Sequence, residues 1–293
     1  MAENSKEIKR RIKSVKNIGQ ITKAMELVSA SKMRKAQMSA SSSRPYAKLS
    51  AELLNNLIPK ASRVNHPLLN RVFDEESGLI EQHKVLIVLI SANKGLAGSL
   101  NTNVIARALR LAKEEGGTEV DFISVGKRGL EILKRTGQNV IAVFEGKDRN
   151  VNIFDAKPIA EIAINDFITF TYDKVFVVYT DFISTLIQKP NILQVLPLAQ
   201  TGVDENLAEY AFEPNPDEVM ENLVYRYIEF AVFQCLQEAA ASEHSARMVA
   251  MKNANQAASD LIDDLTLSAN QARQASITRE LSEISAAKIA MEG

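Results

Sequence analysis

From Asp217 to Glu292 the sequence runs for 76 residues without a glycine or a proline, although the chain holds twelve of the first and eight of the second. Inside a helix glycine costs about 1 kcal/mol and proline about 3 kcal/mol, so their joint exclusion over this length predicts one continuous helix. Large apolar residues recur at helical steps through Leu223, Tyr227, Phe230, Phe233 and Leu236. After a gap of small and polar residues they return at Met248, Met251, Leu261, Leu265 and Leu267. At 1.5 Å per residue such a helix is roughly 110 Å long. A compact domain cannot hide an element of that length, so it needs a long partner.

The partner is at the other end of the chain. Between residues 3 and 44 glycine occurs once, at Gly19, and the first proline is Pro45. Ile8, Ile12, Val15, Ile18, Ile21, Met25, Val28 and Met33 repeat every three or four positions, which predicts a second long helix. Pro45 is expected to kink or interrupt it before it resumes through Leu49, Leu53, Leu54 and Leu57 and stops at Pro59. Residues 1–44 carry eleven Lys and Arg against three acidic residues (11 − 3 = +8), whereas 217–293 carry twelve acidic against six basic residues (6 − 12 = −6). That contrast suits two helices lying together, guiding their pairing more than stabilising it. Both are rich in small residues, Ala24, Ser29 to Ser31, Ala36, Ser39 and Ala40 in the first and Ala239 to Ser242, Ser245, Ala246 and Ala257 to Ser259 in the second. Small side chains let two helices approach closely, so an antiparallel pair is predicted, with the middle of the chain gathered at one end. Gly19 is either a local soft point or a close crossing.

The middle reads differently. Strands are predicted at 84–90, 120–125, 140–144, 174–180 and 192–197, and helices at 101–115, 127–136 and 156–171 with Ile159, Ile162, Ala163 and Phe167 on one face. Strand and helix alternating at this spacing predict a Rossmann-like, mostly parallel sheet covered by helices. The last strand is antiparallel, because residues 181–190 are too short for a full crossover. The fold class is therefore α/β plus a long antiparallel coiled coil. Its divisions are an N-terminal coiled-coil helix at 1–59, a connector at 60–83, the central domain at 84–200, a second connector at 201–216, and the C-terminal coiled-coil helix at 217–293.

Several functions are disfavoured. The net charge of −1 argues against bulk binding of nucleic acid or a membrane surface. A single cysteine, Cys235, permits no internal disulfide and reads as a small buried side chain. His66, His83 and His244 are too scattered for a metal motif. No secretory signal is evident, and the longest apolar run, Val85 to Ile90, is too short to span a bilayer. The turn from Ser91 to Asn101, with Gly95 and Gly98, follows a strand and opens a helix, where phosphate loops occur. It matches neither a Walker A loop nor a dinucleotide fingerprint. Neither a catalytic residue nor a cofactor or metal site is expected. The basic helix around Lys9 to Lys16 and Lys32, Arg34 and Lys35 reads as a charged face meeting an acidic partner. Arg247 and Arg273 must find carboxylates or water, and are natural hydrogen-bonding contacts if another protein encloses them.

The segments Ile12 to Met25 and Val28 to Gln37 resemble the N-terminal helix of the gamma-subunit family of F-type ATP synthases. Ala241 to Ala254 resembles the same family, as do Gly95 to Asn101 and Phe182 to Gln188. The family's C-terminal signature, Ile-Thr-x-Glu-x-x-Glu, stands here as Ile277 to Glu283, although its usual closing Gly-Ala is Ala287-Lys288. The resemblance runs the whole length. It implies a central rotor shaft that couples ion-driven rotation of the c-ring to ATP synthesis or hydrolysis on alpha and beta subunits, and that is not itself a catalyst. It implies as partners the alpha–beta hexamer, epsilon and the c-ring, with membrane association only through the complex. Met25, Arg247, Gln274, Thr278 and Glu280 match positions that meet the catalytic head. Lys32, Arg34 and Lys35 are expected to face acidic loops at its base. Tyr210 and Glu213 match foot residues that meet the c-ring. With Cys235 alone, the dithiol switch of the chloroplast version is excluded. The location implied is the cytoplasmic side of a bacterial plasma membrane. Two rivals remain: a free-standing coiled-coil adaptor with a ligand-binding α/β domain, and a nucleotide-using enzyme built on the glycine-bearing turn.

Overall fold

A computed structural model describes residues 5–57, 68, 84–115, 119–147, 151–198, 213 and 216–292. The expected connectors, apart from Leu68, Glu213 and Pro216, lie outside these residues, and so does Tyr210. In chain order the elements are α1 (Ser5–Leu57), β1 (Lys84–Ile90), α2 (Leu100–Glu114), β2 (Glu119–Val125), α3 (Lys127–Arg135), β3 (Asn139–Phe144), α4 (Ile153–Ile168), β4 (Lys174–Phe182), β5 (Gln188–Leu196) and α5 (Pro216–Glu292). Helix α5 has 77 residues and opens on Pro216, whose missing N–H would be unpaired in the first turn anyway.

Helix α1 is unbroken, with Pro45 in its interior. The expected interruption does not occur. Proline removes one hydrogen bond, to the carbonyl of residue 41, and Ser41 is exposed, so water can take up that acceptor. Just before it, Ser42 and Ser43 donate their hydroxyls to the carbonyls of Ser39 and Ala40, at 2.8 and 3.1 Å.

The chain divides into two compact units, and both long helices contribute to each. One unit contains residues 1–29 and 248–293, the other residues 30–247. In the larger unit the five strands lie in the order β3-β2-β1-β4-β5. The first four are parallel, and β5 pairs antiparallel with β4, as the short connection requires. Alternation along β1 divides its side chains between two cores. Leu86, Val88 and Ile90 join α4 (Ile159, Ala163, Phe167) and the first part of α5 (Val224, Ile228, Val232) on one face. Val85, Ile87 and Leu89 join α2 (Val104, Ala108, Leu111) and Leu133 of α3 on the other. Leu54 of α1 belongs to the first of these cores. Within this unit α1 and α5 run antiparallel: Ser39 accepts from Gln237 Nε2 at 3.0 Å, and the Ser43 hydroxyl lies 2.6 Å from Gln234 Oε1.

At the start of α3 the backbone passes so close to β1 that no side chain fits. Gly126 has φ +93°, and a Cβ there would lie 2.1 Å from the Ser91 carbonyl oxygen. Replacing Gly126 with alanine is expected to cost about 2–4 kcal/mol through the strained φ and the collision together. A fall in the urea midpoint at unchanged slope would measure it.

Candidate functional site

In an open α/β sheet, ligands are taken up outside the carboxyl ends of the strands, where the strand order reverses. Here that point lies between β1 and β4. The loop after β1 is firmly tied. Ser91 Oγ donates to the Val125 carbonyl at 3.0 Å and accepts from the Gly129 N–H at 2.9 Å. The Ala92 N–H donates to Asn101 Oδ1 at 3.0 Å, and Asn93 accepts from the Lys127 N–H at 3.2 Å while donating to the Gly146 carbonyl.

The crevice between these strand ends is occupied by α5. Leu236, Ala239, Ala240 and Glu243 line it together with Ile90, Val125 and Thr180, and the space remaining is a cavity of about 40 Å³. A site for a drug-sized ligand needs roughly 300 Å³ or more. The small residues of α5 make this seating possible. Ser242 Oγ donates to the Thr180 carbonyl at 3.0 Å, and Ser245 Oγ donates to the Thr185 carbonyl at 2.8 Å, so the helix backbone lies directly against β4 and the turn after it. The small stretch 239–246 therefore serves helix-on-sheet contact. Its expected role as a helix–helix seam does not account for these bonds.

Arg247 completes the seat. Its guanidinium donates to Glu243 at 2.6 Å and reaches the carbonyls of Lys94 and Gly95 at about 3.4 Å, with only 9% of the side chain exposed. Of the carboxylates or water expected for Arg247, the structure supplies a carboxylate one helical turn back. Nearby, Glu238 of α5 is buried and accepts from Arg44 Nε of α1 at 3.2 Å and from Gln234 Nε2 at 2.8 Å. Arg44 Nη2 also donates to the Phe182 carbonyl at 3.3 Å. This is an ion pair across the two long helices, whereas Glu7–Arg11, Lys23–Glu26 and Arg226–Glu229 each lie within one helix. Cys235 is buried, and burial raises its thiol well above the ordinary range, so it stays protonated.

The smaller unit has another character. Gly19 faces α5, where an added Cβ would meet Ala258 Cβ at 3.6 Å and Asn255 Oδ1 at 3.8 Å. Of the two possibilities for this glycine, the structure has the close crossing. Among the described residues of this unit few are buried: Ile8, Thr22, Ser29, Met251 and Ala258. Ile18, Ile21, Leu27 and Val28 of α1 and Leu261 and Leu267 of α5 are exposed. Every described side chain from Arg273 to Met291 is exposed, including Ile277, Leu281, Ile284 and Met291, whose spacings of four, three and seven put them on one face.

Of the residues singled out in the sequence, Met25 and Lys32 are half-buried, and Arg34, Lys35, Glu213, Gln274, Thr278 and Glu280 are exposed. Glu280 accepts from Ser276 Oγ at 3.2 Å. They form no single cluster. Arg44 and Glu238 escaped the sequence reading, whereas Ser242 and Ser245 were read only as small residues of a close approach. The usable signals were the small residues at 239–246 and the i, i+4 spacing of Glu243 and Arg247.

Fold and seat together define a helical interaction protein on an α/β base, whose sheet crevice is filled by its own helix. A family model described as ATP synthase matches residues 4–291. The ATP synthase gamma chain of Pelotomaculum thermopropionicum is 42% identical over 290 residues, covering 98% of this chain and 99% of the relative. That of Symbiobacterium thermophilum is 38% identical over 296 residues, covering 100% of both. Among solved structures, the central stalk and c-ring of the Tetrahymena thermophila mitochondrial ATP synthase contains a chain with TM-score 0.60 and 25% identity, over 80% of this chain and 99% of that one. A chain of the Euglena gracilis mitochondrial ATP synthase superposes with TM-score 0.67 over 98% of this chain and 94% of that one. At 19% identity, it shows the shared fold. The chain belongs to the ATP synthase gamma-chain family.

Three substitutions test these contacts. Arg247→Ala leaves Glu243 without its cation and is expected to cost about 3 kcal/mol in chemical denaturation. Arg247→Lys recovers part of this at most, because an ammonium cannot fork between a carboxylate and two carbonyls. Gly19→Ala places its methyl at ordinary contact distance within a helix and is expected to stabilise by about 0.5–1 kcal/mol, read as a higher melting temperature.

Proposed function

We infer that this chain is the central rotor shaft of an F-type ATP synthase, transmitting rotation between an ion-driven c-ring and the nucleotide sites of alpha and beta subunits. The observation that carries this is the apolar surface left outside on the long helices, at Ile18, Ile21, Leu27 and Val28 and again at Ile277, Leu281, Ile284 and Met291. Surface of that kind on helices calls for an enclosing partner. The alpha–beta hexamer is such an enclosure, and family membership supplies it. Gly and Pro are excluded from the helix that must resist bending and twisting.

The division of labour follows the sequence boundaries: residues 1–59 and 217–293 as shaft, 84–200 as base, and 60–83 and 201–216 joining them. Met25, Gln274, Thr278 and Glu280 meet the catalytic head, and Lys32, Arg34 and Lys35 its acidic lower loops. Arg247 acts at that surface from its brace on Lys94 and Gly95. Tyr210 and Glu213 meet the c-ring, and epsilon binds beside them. The chain itself is not catalytic; the closed crevice at the head of β1 supports this. Curated bacterial relatives support a place on the cytoplasmic side of a bacterial plasma membrane. A tagged version purified from native membranes is expected to bring alpha, beta, epsilon and c subunits, one copy of this chain per hexamer. Recovery without alpha and beta would favour the adaptor reading.

Removing residues 273–292 separates transmission from folding. Every described side chain there is exposed, so the truncated chain is expected to melt within about 0.5 kcal/mol of the full one. ATP-driven ion pumping by the assembled complex should fall severely. A truncation that prevents folding would contradict this.

A further inference from the structure

Ser242, Ser245 and Arg247 of α5 donate to main-chain carbonyls in three different segments of the α/β base. Ser242 Oγ meets the end of β4 at Thr180, at 3.0 Å, and Ser245 Oγ the turn after it at Thr185, at 2.8 Å. Arg247 meets the loop after β1 at Lys94 and Gly95. Both serines are 0% exposed and Arg247 is 7% exposed, so water cannot replace the serine bonds if they are removed. The donors face different ways. At 3.6 residues per turn, Ser245 stands about 60° from Ser242 around the helix, and Arg247 about 140° in the other direction. Gln237 is about 140° from Ser242 on the same hand as Ser245. It is bonded to Ser39 and Ser43 of α1.

We propose that Ser242 and Ser245, with Arg247, form a torque joint: the bonds that stop α5 from rolling about its own axis against the base, and so pass rotation between base and shaft. The assignment rests on the rotor function and names positioning residues that this function needs.

An apolar seat alone would not serve, because the hydrophobic effect has no direction and small side chains offer little to catch on. A hydrogen bond weakens steeply as its angle is distorted, so it resists the sideways displacement that turning imposes. The acceptors are themselves fixed. In the turn, Ser184 and Ile187 exchange backbone bonds at 3.0 and 3.2 Å, and Gln188 Nε2 donates to the Thr185 carbonyl at 2.9 Å. The loop after β1 is tied by Ser91, Asn93 and Asn101.

The test uses the complex of this chain with alpha and beta subunits, immobilised by its head, with a probe attached at the exposed Lys134 of α3. During pauses in ATP-driven rotation, the angular spread of the probe reports how stiffly base and shaft are joined. Spread varies as the inverse square root of stiffness. Ser242→Ala with Ser245→Ala removes two of the three tethers and is expected to widen the spread about 1.5-fold. Each single variant should give part of that widening, which preserves the test if the double variant does not assemble. Ser268→Ala with Ser282→Ala is the matched control, because those hydroxyls bond carbonyls of α5 itself, at Asp264 and Thr278. It removes as many hydroxyls from the same helix and should leave the spread unchanged. In the membrane-bound complex, the Ser242 and Ser245 variants should lower ATP-driven ion pumping by a larger factor than ATP hydrolysis. An unchanged spread in these variants, or equal widening in the control, would overturn the joint alone. A wild-type complex that does not turn on ATP would overturn the rotor function, and the joint with it.

Discussion

The rest of the structure depends on the direct seating of α5 against the carboxyl ends of β1 and β4. The backbone of a long helix can come this close to a sheet only where its side chains are small, and α5 supplies Ala239, Ala240, Ser242 and Ser245 there. The two serines bond to main-chain carbonyls at the end of β4 and in the following turn, and Arg247 ties the loop after β1. A network of this kind is strong when every member is satisfied and costly when one is removed. It also fills from within the place where such sheets take ligands.

Along α5 the surroundings change in steps. From Val224 to Leu236 its apolar residues enter a core shared with the sheet and α4. At Met251 and Ala258 burial becomes intermittent, and from Arg273 onward the described side chains are all exposed. The helix keeps one backbone conformation throughout, since continuous Ala, Leu, Glu, Gln, Lys and Arg with no breaker sustains it independently of what it packs against. The opposite charges of the two terminal regions contribute little to this. Arg44–Glu238 joins the helices with its carboxylate buried and its guanidinium half-exposed, whereas pairs within one helix such as Lys23–Glu26 satisfy charges locally and are worth little.

Much of this architecture was legible in the sequence. Strand β1 is a run of apolar residues between polar neighbours, and its observed limits are the expected ones. Helix α4 shows the expected face, with Ile159, Ala163 and Phe167 buried. The antiparallel edge strand followed from the length of one connection, although β5 begins four residues earlier than expected. Legibility ended where a residue's partner is remote in sequence. Ala239 to Ala246 announce a close approach without naming what approaches, and helix and sheet produce the same signal. Pro45 looked like an interruption because propensity takes no account of an exposed acceptor. Glu238 is one acidic residue in an acidic helix, and its partner Arg44 lies 194 positions from it. Gln274, Thr278 and Glu280 stand exposed on the shaft, where no periodicity marks them, and rested on resemblance alone.

The apolar face at Ile277, Leu281, Ile284 and Met291 has a consequence for how a cell handles this protein. A newly made copy carries a sticky, unshielded tail, and neighbouring copies would adhere through it in proportion to the square of their concentration. Supply must therefore be matched to the proteins that cover it, and an orphaned surplus becomes a target for chaperones and proteases. Quality control is in this sense written on the same stripe that serves assembly.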